Sequence, residues 1–144
     1  MRCADIMKTD VLRCRHDDTA RQAAQLMRQH NIGFLPVVDE TRRLVGVVTD
    51  RDLTVRVLAD DAPTSTRLAD LMTKDLVTCH PEDHLRVAEE KMAVLQKSRM
   101  LVVGDAGELL GIISLSDIAR AETKRRAGKL LGMVTRREVA SPSA

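Results

Sequence analysis

The sequence predicts an α+β fold (α/β in the broad sense) of two tandem β-α-β-β-α repeats. Each repeat would carry one small three-stranded sheet, and the two sheets would pack about a pseudo-two-fold axis. Three observations predict it. The chain matches itself at one constant shift. Each copy alternates short β-branched runs with a helical apolar pattern. Each copy ends in a glycine, two aliphatics, a hydroxyl, two spacers and an aspartate: Gly46-Val47-Val48-Thr49-Asp50-Arg51-Asp52 and Gly111-Ile112-Ile113-Ser114-Leu115-Ser116-Asp117.

The self-match pairs Met7 with Met72, a shift of 65. The same shift pairs Ala4 with Ala69, Asp5 with Asp70, Cys14 with Cys79, Asp18 with Asp83, Ala23 with Ala88 and Met27 with Met92. It continues through Val37-Val38 on Val102-Val103, Leu44 on Leu109, Gly46 on Gly111 and Asp52 on Asp117. No gap interrupts roughly fifty positions, which marks an internal duplication. The boundaries follow: a first repeat over 1–60, a linker over 61–67, a second repeat over 68–121, and a basic helix and tail over 122–144.

The elements follow in order. Ala4 to Met7 is a short apolar lead-in, and Val11 to Cys14 an extended run. Asp17 and Asp18 are N-cap candidates for a helix whose small apolar face is Ala20, Ala23, Ala24 and Met27. That helix should stop near His30 and Asn31, with Gly33 beyond. Phe34 to Val38 and Leu44 to Thr49 are strands of a hairpin turning at Asp39 to Arg43. Asp50 to Asp52 opens a helix through Leu53, Val57 and Leu58, and a polar, proline-bearing linker runs from Asp60 to Thr66. The second repeat follows the same order, with its turn at Gly104-Asp105-Ala106-Gly107. A basic helical stretch then runs to about Arg137, and Val139 to Ala144 should fray. Neither repeat is long enough to bury much by itself, so the two should share their apolar faces.

Composition excludes several function classes. Phe34 is the lone aromatic, so the core must be aliphatic, and a surface that stacks nucleic-acid bases is disfavoured. The net charge is +2, but Arg120 to Arg137 holds seven bases against Glu122 alone. Such a stretch is either a solvated face or a contact for an acidic partner. Three cysteines, no apolar h-region in the first residues and no long apolar run lead to the expectation of a cytoplasmic protein with reduced thiols and no membrane contact. Cys14 and Cys79 read as small core residues. Cys79, His80 and His84 do not make a metal site, because a helix start separates the histidines and no further ligand follows. Ala127-Gly128-Lys129-Leu130 lacks the rest of a phosphate loop. No Ser-His-Asp or Cys-His arrangement is visible, so no enzyme, catalytic residue, metal or cofactor is expected.

The repeated hydroxyl and aspartate have two chemical readings. The aspartate can cap the helix that follows. Alternatively it can accept from two adjacent hydroxyls, as a ribose diol offers, beside a helix start able to face a phosphate.

Taken together, the tandem copies resemble a cystathionine-β-synthase (CBS) domain pair, or Bateman module. Asn31-Ile32-Gly33-Phe34-Leu35-Pro36-Val37-Val38-Asp39 and Gly46 to Leu53 fit that pattern closely; the second repeat departs from it at Leu101, where the proline would sit. The resemblance covers about residues 3 to 121. It implies a regulatory module that binds adenosine-containing ligands (AMP, ADP, ATP, NAD(H) or S-adenosylmethionine) in clefts between the repeats. It further implies a signal passed on by conformational change, a homodimer and a regulated protein partner. Carried over, one cleft uses Thr49, Arg51 and Asp52 with Leu76, Val77, Ser98, Arg99 and Met100. The other uses Ser114 and Asp117 with Val11, Leu12, Ile32, Gly33 and Phe34. With Arg51 and Arg99, the first is expected to prefer the more anionic ligand. The rival expectation is an interaction module with empty clefts that docks through its basic C-terminal segment on a protein or nucleic acid.

Overall fold

The computed structural model describes residues 1–121 and 123–139. Glu122 and the part of the expected frayed tail beyond Val139 lie outside the described residues. In chain order the elements are α1 (Cys3–Ile6), β1 (Cys14–Arg15), α2 (Ala20–His30), β2 (Phe34–Val38), β3 (Leu44–Thr49) and α3 (Asp50–Leu53), which continues as a π-helical turn (Thr54–Leu58). Then come α4 (Leu68–Leu71), β4 (Thr78–Cys79), α5 (Leu85–Leu95), β5 (Arg99–Val103), β6 (Leu109–Ser114), α6 (Leu115–Ala121) and α7 (Lys124–Val139). The two sheets have the orders β1-β2-β3 and β4-β5-β6. The α+β class and the repeated strand-helix-strand-strand-helix order are therefore as expected.

The chain divides into two compact units that cut across the repeats. One holds Leu12–Leu76 with Ala106–Leu109; the other holds Met1–Val11, Val77–Asp105 and the chain from Leu110 on. Each unit thus consists of one repeat's sheet and helices plus the lead-in of the other repeat. They are called here the first-repeat unit and the second-repeat unit.

In the first-repeat unit β1 runs parallel to β2, with Cys14 opposite Val37, and α2 makes the crossover. β2 and β3 form the antiparallel hairpin, with Phe34 opposite Thr49 and Leu35 opposite Val48. Asp39 Oδ1 closes its turn by accepting from Thr41 N (2.8 Å) and Arg43 N (3.0 Å). The start of α2 corrects an expectation. Thr19 is its cap, accepting from Gln22 N while Gln22 Oε1 accepts from Thr19 N. Asp18 is drawn off instead by Arg15 N (2.8 Å). The helix ends as expected, with Asn31 at a φ of 52°. Its buried face is Ala20, Ala23 and Met27; Ala24 is exposed. Small residues let α2 approach the strands, and Leu35, Val37, Val48, Val57, Leu68, Leu71 and Met72 complete an aliphatic core.

In the second-repeat unit β4 runs parallel to β5, with Thr78 opposite Leu101. The histidines set aside as metal ligands do local work. His84 caps α5 by accepting from Arg86 N (3.2 Å), and His80 meets Asp105 Oδ1 at 2.9 Å. Cys3 and Cys79 lie together in the core with Leu85, Met92, Met100, Val102, Ile113 and Ile118. All three cysteines are free and buried, and Cys14 and Cys79 pack in the cores as expected. Pairing with Cys3, together with burial, pushes the Cys79 thiol up; burial pushes Cys14 up to about 12. Helix α7 inserts Leu130 and Val134 into this core, and Arg126 pairs with Glu89 of α5. Among the described residues, no helix is long and apolar enough to cross a membrane.

Candidate functional site

The two hydroxyl-x-x-Asp stretches stand where a strand hands over to a helix. β3 ends at Thr49 and α3 begins at Asp50, so the hydroxyl occupies the cap. Asp52 N donates to Thr49 Oγ1 (3.1 Å), and Thr49 N donates to Asp52 Oδ2 (2.9 Å). The second repeat repeats the exchange: Asp117 N to Ser114 Oγ (3.2 Å) and Ser114 N to Asp117 Oδ2 (2.8 Å). Ser114 Oγ adds a 2.7 Å bond to the same Oδ2. Both aspartates therefore support helix starts from the third helical position, with the hydroxyl residue as the cap. The capping box uses Oδ2 and leaves Oδ1 of each carboxylate outside it.

What meets Oδ1 comes from the lead-in segments. Thr73 pairs with Val47 through Thr73 N to Val47 O (2.8 Å) and Val47 N to Thr73 O (3.0 Å). Lys8 pairs with Ile112 in the same way, at 2.9 and 3.0 Å. The motif glycines make this approach possible. A Cβ on Gly46 would lie 2.5 Å from Met72 Sδ, and one on Gly111 would lie 2.9 Å from Lys8 O. Thr73 Oγ1 then rests 3.4 Å from both oxygens of Asp52, and Lys8 Nζ rests 3.2 Å from Asp117 Oδ1. Lys8 and Thr73 are equivalents at the shift of 65. The sequence reading missed both, although they follow directly on the matched pair Met7 and Met72.

Neighbouring cations differ as well. Arg56 Nε lies 4.0 Å from Asp52 Oδ1, but its Nη1 donates to Leu71 O (2.6 Å) and Met72 O (3.2 Å). Arg120 Nη1 lies 3.7 Å from Asp117 Oδ1. The side chain of Asp52 is 14% exposed and that of Asp117 6%. Burial alone would raise the Asp117 carboxyl, but the bonds from Ser114 and Lys8 outweigh it and hold the group below its usual range.

The other expected residues fall as follows. Gly33 O accepts from Asp50 N (3.0 Å), and Phe34 is the cross-strand partner of Thr49. Ile32 and Leu12 pack against the first-repeat core, and Leu76 is half-buried in the same unit. Arg51 is exposed beside Asp52. In the second-repeat unit Ser98 O accepts from Leu115 N (3.1 Å), and Arg99 is exposed at the start of β5. Met100 is fully buried, which leaves its backbone rather than its side chain for a ligand. Val77 packs on the second-repeat core, and Val11 is half-buried. Each unit, taken alone, thus joins a pre-strand segment to the hydroxyl of its own repeat. Among the described residues no three metal-ligating side chains come together.

Known proteins are similar to this chain in sequence and in fold. The family model for the CBS domain matches residues 3–59 and again 68–124. The chain belongs to the CBS domain family, as a tandem pair. It is 37% identical over 115 residues to the CBS domain-containing protein YhcV of Bacillus subtilis, covering 80% of this chain and 81% of that protein. It is 33% identical to the inosine-5'-monophosphate dehydrogenase of Methanocaldococcus jannaschii, covering 87% of this chain but 24% of that enzyme. Among solved structures it is similar to the CBS domain pair of protein MJ0100 in complex with 5'-methylthioadenosine and S-adenosyl-L-methionine. There the TM-score is 0.71 at 28% identity, covering 84% of this chain and 94% of that one.

Proposed function

We propose that this chain is a regulatory binding module for adenosine-containing ligands and performs no chemistry on them. The observation that carries the reading is the duplicated carboxylate behind a capping hydroxyl, with an Oδ1 on Asp52 that the capping box does not use and from which Thr73 and Arg56 stand 3.4 and 4.0 Å away. A carboxylate so placed can accept both hydroxyls of a ribose. The adjacent Thr49 and Arg51 would face a phosphate, and the backbone around Ile32, Gly33 and Phe34, or around Ser98, Arg99 and Met100, would read the base. Leu76, Val77, Val11 and Leu12 would supply apolar walls. The similarity to a CBS pair solved with two adenosyl ligands supports this reading. AMP, ADP, ATP, NAD(H) and S-adenosylmethionine are the candidates; no metal or cofactor enters. Self-association into a dimer and a regulated protein partner complete the proposal, the first checked by light scattering.

A ligand present at a hundred times its Kd adds about 2.7 kcal/mol to stability. A thermal-shift screen with those five compounds and 5'-methylthioadenosine should therefore show a rise of several degrees for at least one, and Asp52→Ala should remove most of it. If no compound moves the wild-type midpoint, the reading fails. A second reading draws on the capping boxes, which give both aspartates a structural role without any ligand. In that case the clefts stay empty and the basic C-terminal segment docks on a partner, so binding would be salt-dependent and indifferent to Asp52→Ala.

A further inference from the structure

The duplicated motifs have different company, and the difference bears on how many ligands the chain takes. A ribose diol needs acceptor capacity on the carboxylate that receives it. At Asp117 that capacity is used. Oδ2 accepts from Ser114 N (2.8 Å) and Ser114 Oγ (2.7 Å), and Oδ1 takes the Lys8 ammonium at 3.2 Å, with Arg120 beyond it at 3.7 Å. The ammonium brings a full opposite charge to the carboxylate, whereas a sugar alcohol donates a hydrogen bond without one. A sugar hydroxyl would have to displace a cation from a carboxylate that is 6% exposed.

At Asp52 the equivalent of Lys8 is Thr73, a neutral hydroxyl that can rotate, 3.4 Å from either oxygen. The nearby guanidinium of Arg56 is committed to the carbonyls of Leu71 and Met72 and stays 4.0 Å away. Thr49 Oγ1 accepts from Asp52 N and donates to no acceptor among the described residues, whereas Ser114 Oγ donates to Asp117 Oδ2. The same motif therefore presents an open acceptor in one copy and a neutralised one in the other.

We propose that the Thr49–Asp52 motif alone receives a ribose diol in the resting protein, and that Lys8 keeps the Ser114–Asp117 motif closed to it. Lys8 and Thr73 are then the residues that decide occupancy, and the ratio of ligand to chain is one. This rests on the adenosine-ligand reading above and adds to it a difference between its two sites.

Calorimetric titration of the full chain with 5'-methylthioadenosine and with AMP tests it. Wild type should bind one equivalent. Asp52→Asn should lower that affinity at least tenfold. Lys8→Thr, which copies the first motif, and Lys8→Met, which keeps the aliphatic stem, should each raise the count to two; circular dichroism checks that both remain folded. Lys8→Thr combined with Asp52→Asn should return it to one. Two equivalents in wild type would overturn the inference and leave the adenosine reading standing. So would one equivalent retained in Asp52→Asn, or a count of one in both Lys8 variants. If wild type and Lys8→Thr bind neither of these two compounds, nor ADP, ATP, NAD(H) or S-adenosylmethionine, the adenosine reading itself is removed, and this inference with it.

Discussion

A carboxylate that caps a helix has already lost part of its solvation, so whatever else approaches it decides its chemistry. At Asp117 that neighbour is an ammonium ion; at Asp52 it is a hydroxyl. The consequence is measurable without a ligand. Burial opposes ionisation of Asp117, but the bonds from Ser114 and Lys8 prevail and its pKa in the folded chain lies below the ordinary value. A group with a lowered folded pKa adds stability at pH values above its unfolded pKa, about 3.9 for Asp, and loses it as the pH falls through the folded value. The stability advantage of wild type over Asp117→Asn, read from urea midpoints, should therefore be constant from pH 7 to 5 and shrink below about pH 4. An advantage that grows on acidification would contradict the assignment. Of these groups, Thr49, Asp52, Ser114 and Asp117 were legible in the sequence, because a local motif carries them. Lys8 and Thr73 were not, because their meeting with the carboxylates depends on pairing between segments distant in the chain.

That pairing belongs to the lead-ins and the last strand of each sheet. Lys8 and Ile112 exchange two backbone bonds, as Thr73 and Val47 do, and each pair sits over a motif glycine. Gly111 needs no unusual backbone angle; it is glycine because Lys8 O and Met7 Sδ occupy the space a methyl group would fill, at 2.9 and 2.8 Å. Gly111→Ala must push a backbone carbonyl aside, and overpacking of this kind costs about 1–3 kcal/mol. Equilibrium urea unfolding should register that loss, and the Lys8 pairing with Asp117 should weaken along with it. An unchanged midpoint would mean that the lead-in yields freely. Helix boundaries show the same limit of local reading. The end of α2 at His30 was legible from Asn31, but its start was assigned to Asp17 or Asp18 instead of Thr19, since Asp and Thr both cap helices. Which one caps depends on which competing donor, here Arg15 N, claims a carboxylate first.

The two units are unequal because α7 belongs to one of them. Leu130 and Val134 are buried in the second-repeat core, and the first-repeat core has no such addition among its clustered residues. Leu130→Ala should therefore destabilise the second-repeat unit by about 2–4 kcal/mol. Hydrogen exchange should quicken along β4, β5 and α5 while the amides of β2 and β3 change little. Equal acceleration in both would show that the units unfold as one. The repeat, the order of elements, the aliphatic core and the paired hydroxyl and aspartate were all readable from the chain alone, since each is written in residues close together or in a constant shift. The exchange of lead-ins between units, the cation set against Asp117 and the seat of α7 were settled by tertiary structure. They depend on backbone pairing and side-chain burial between distant segments, and no local pattern of residues encodes which distant segment will arrive.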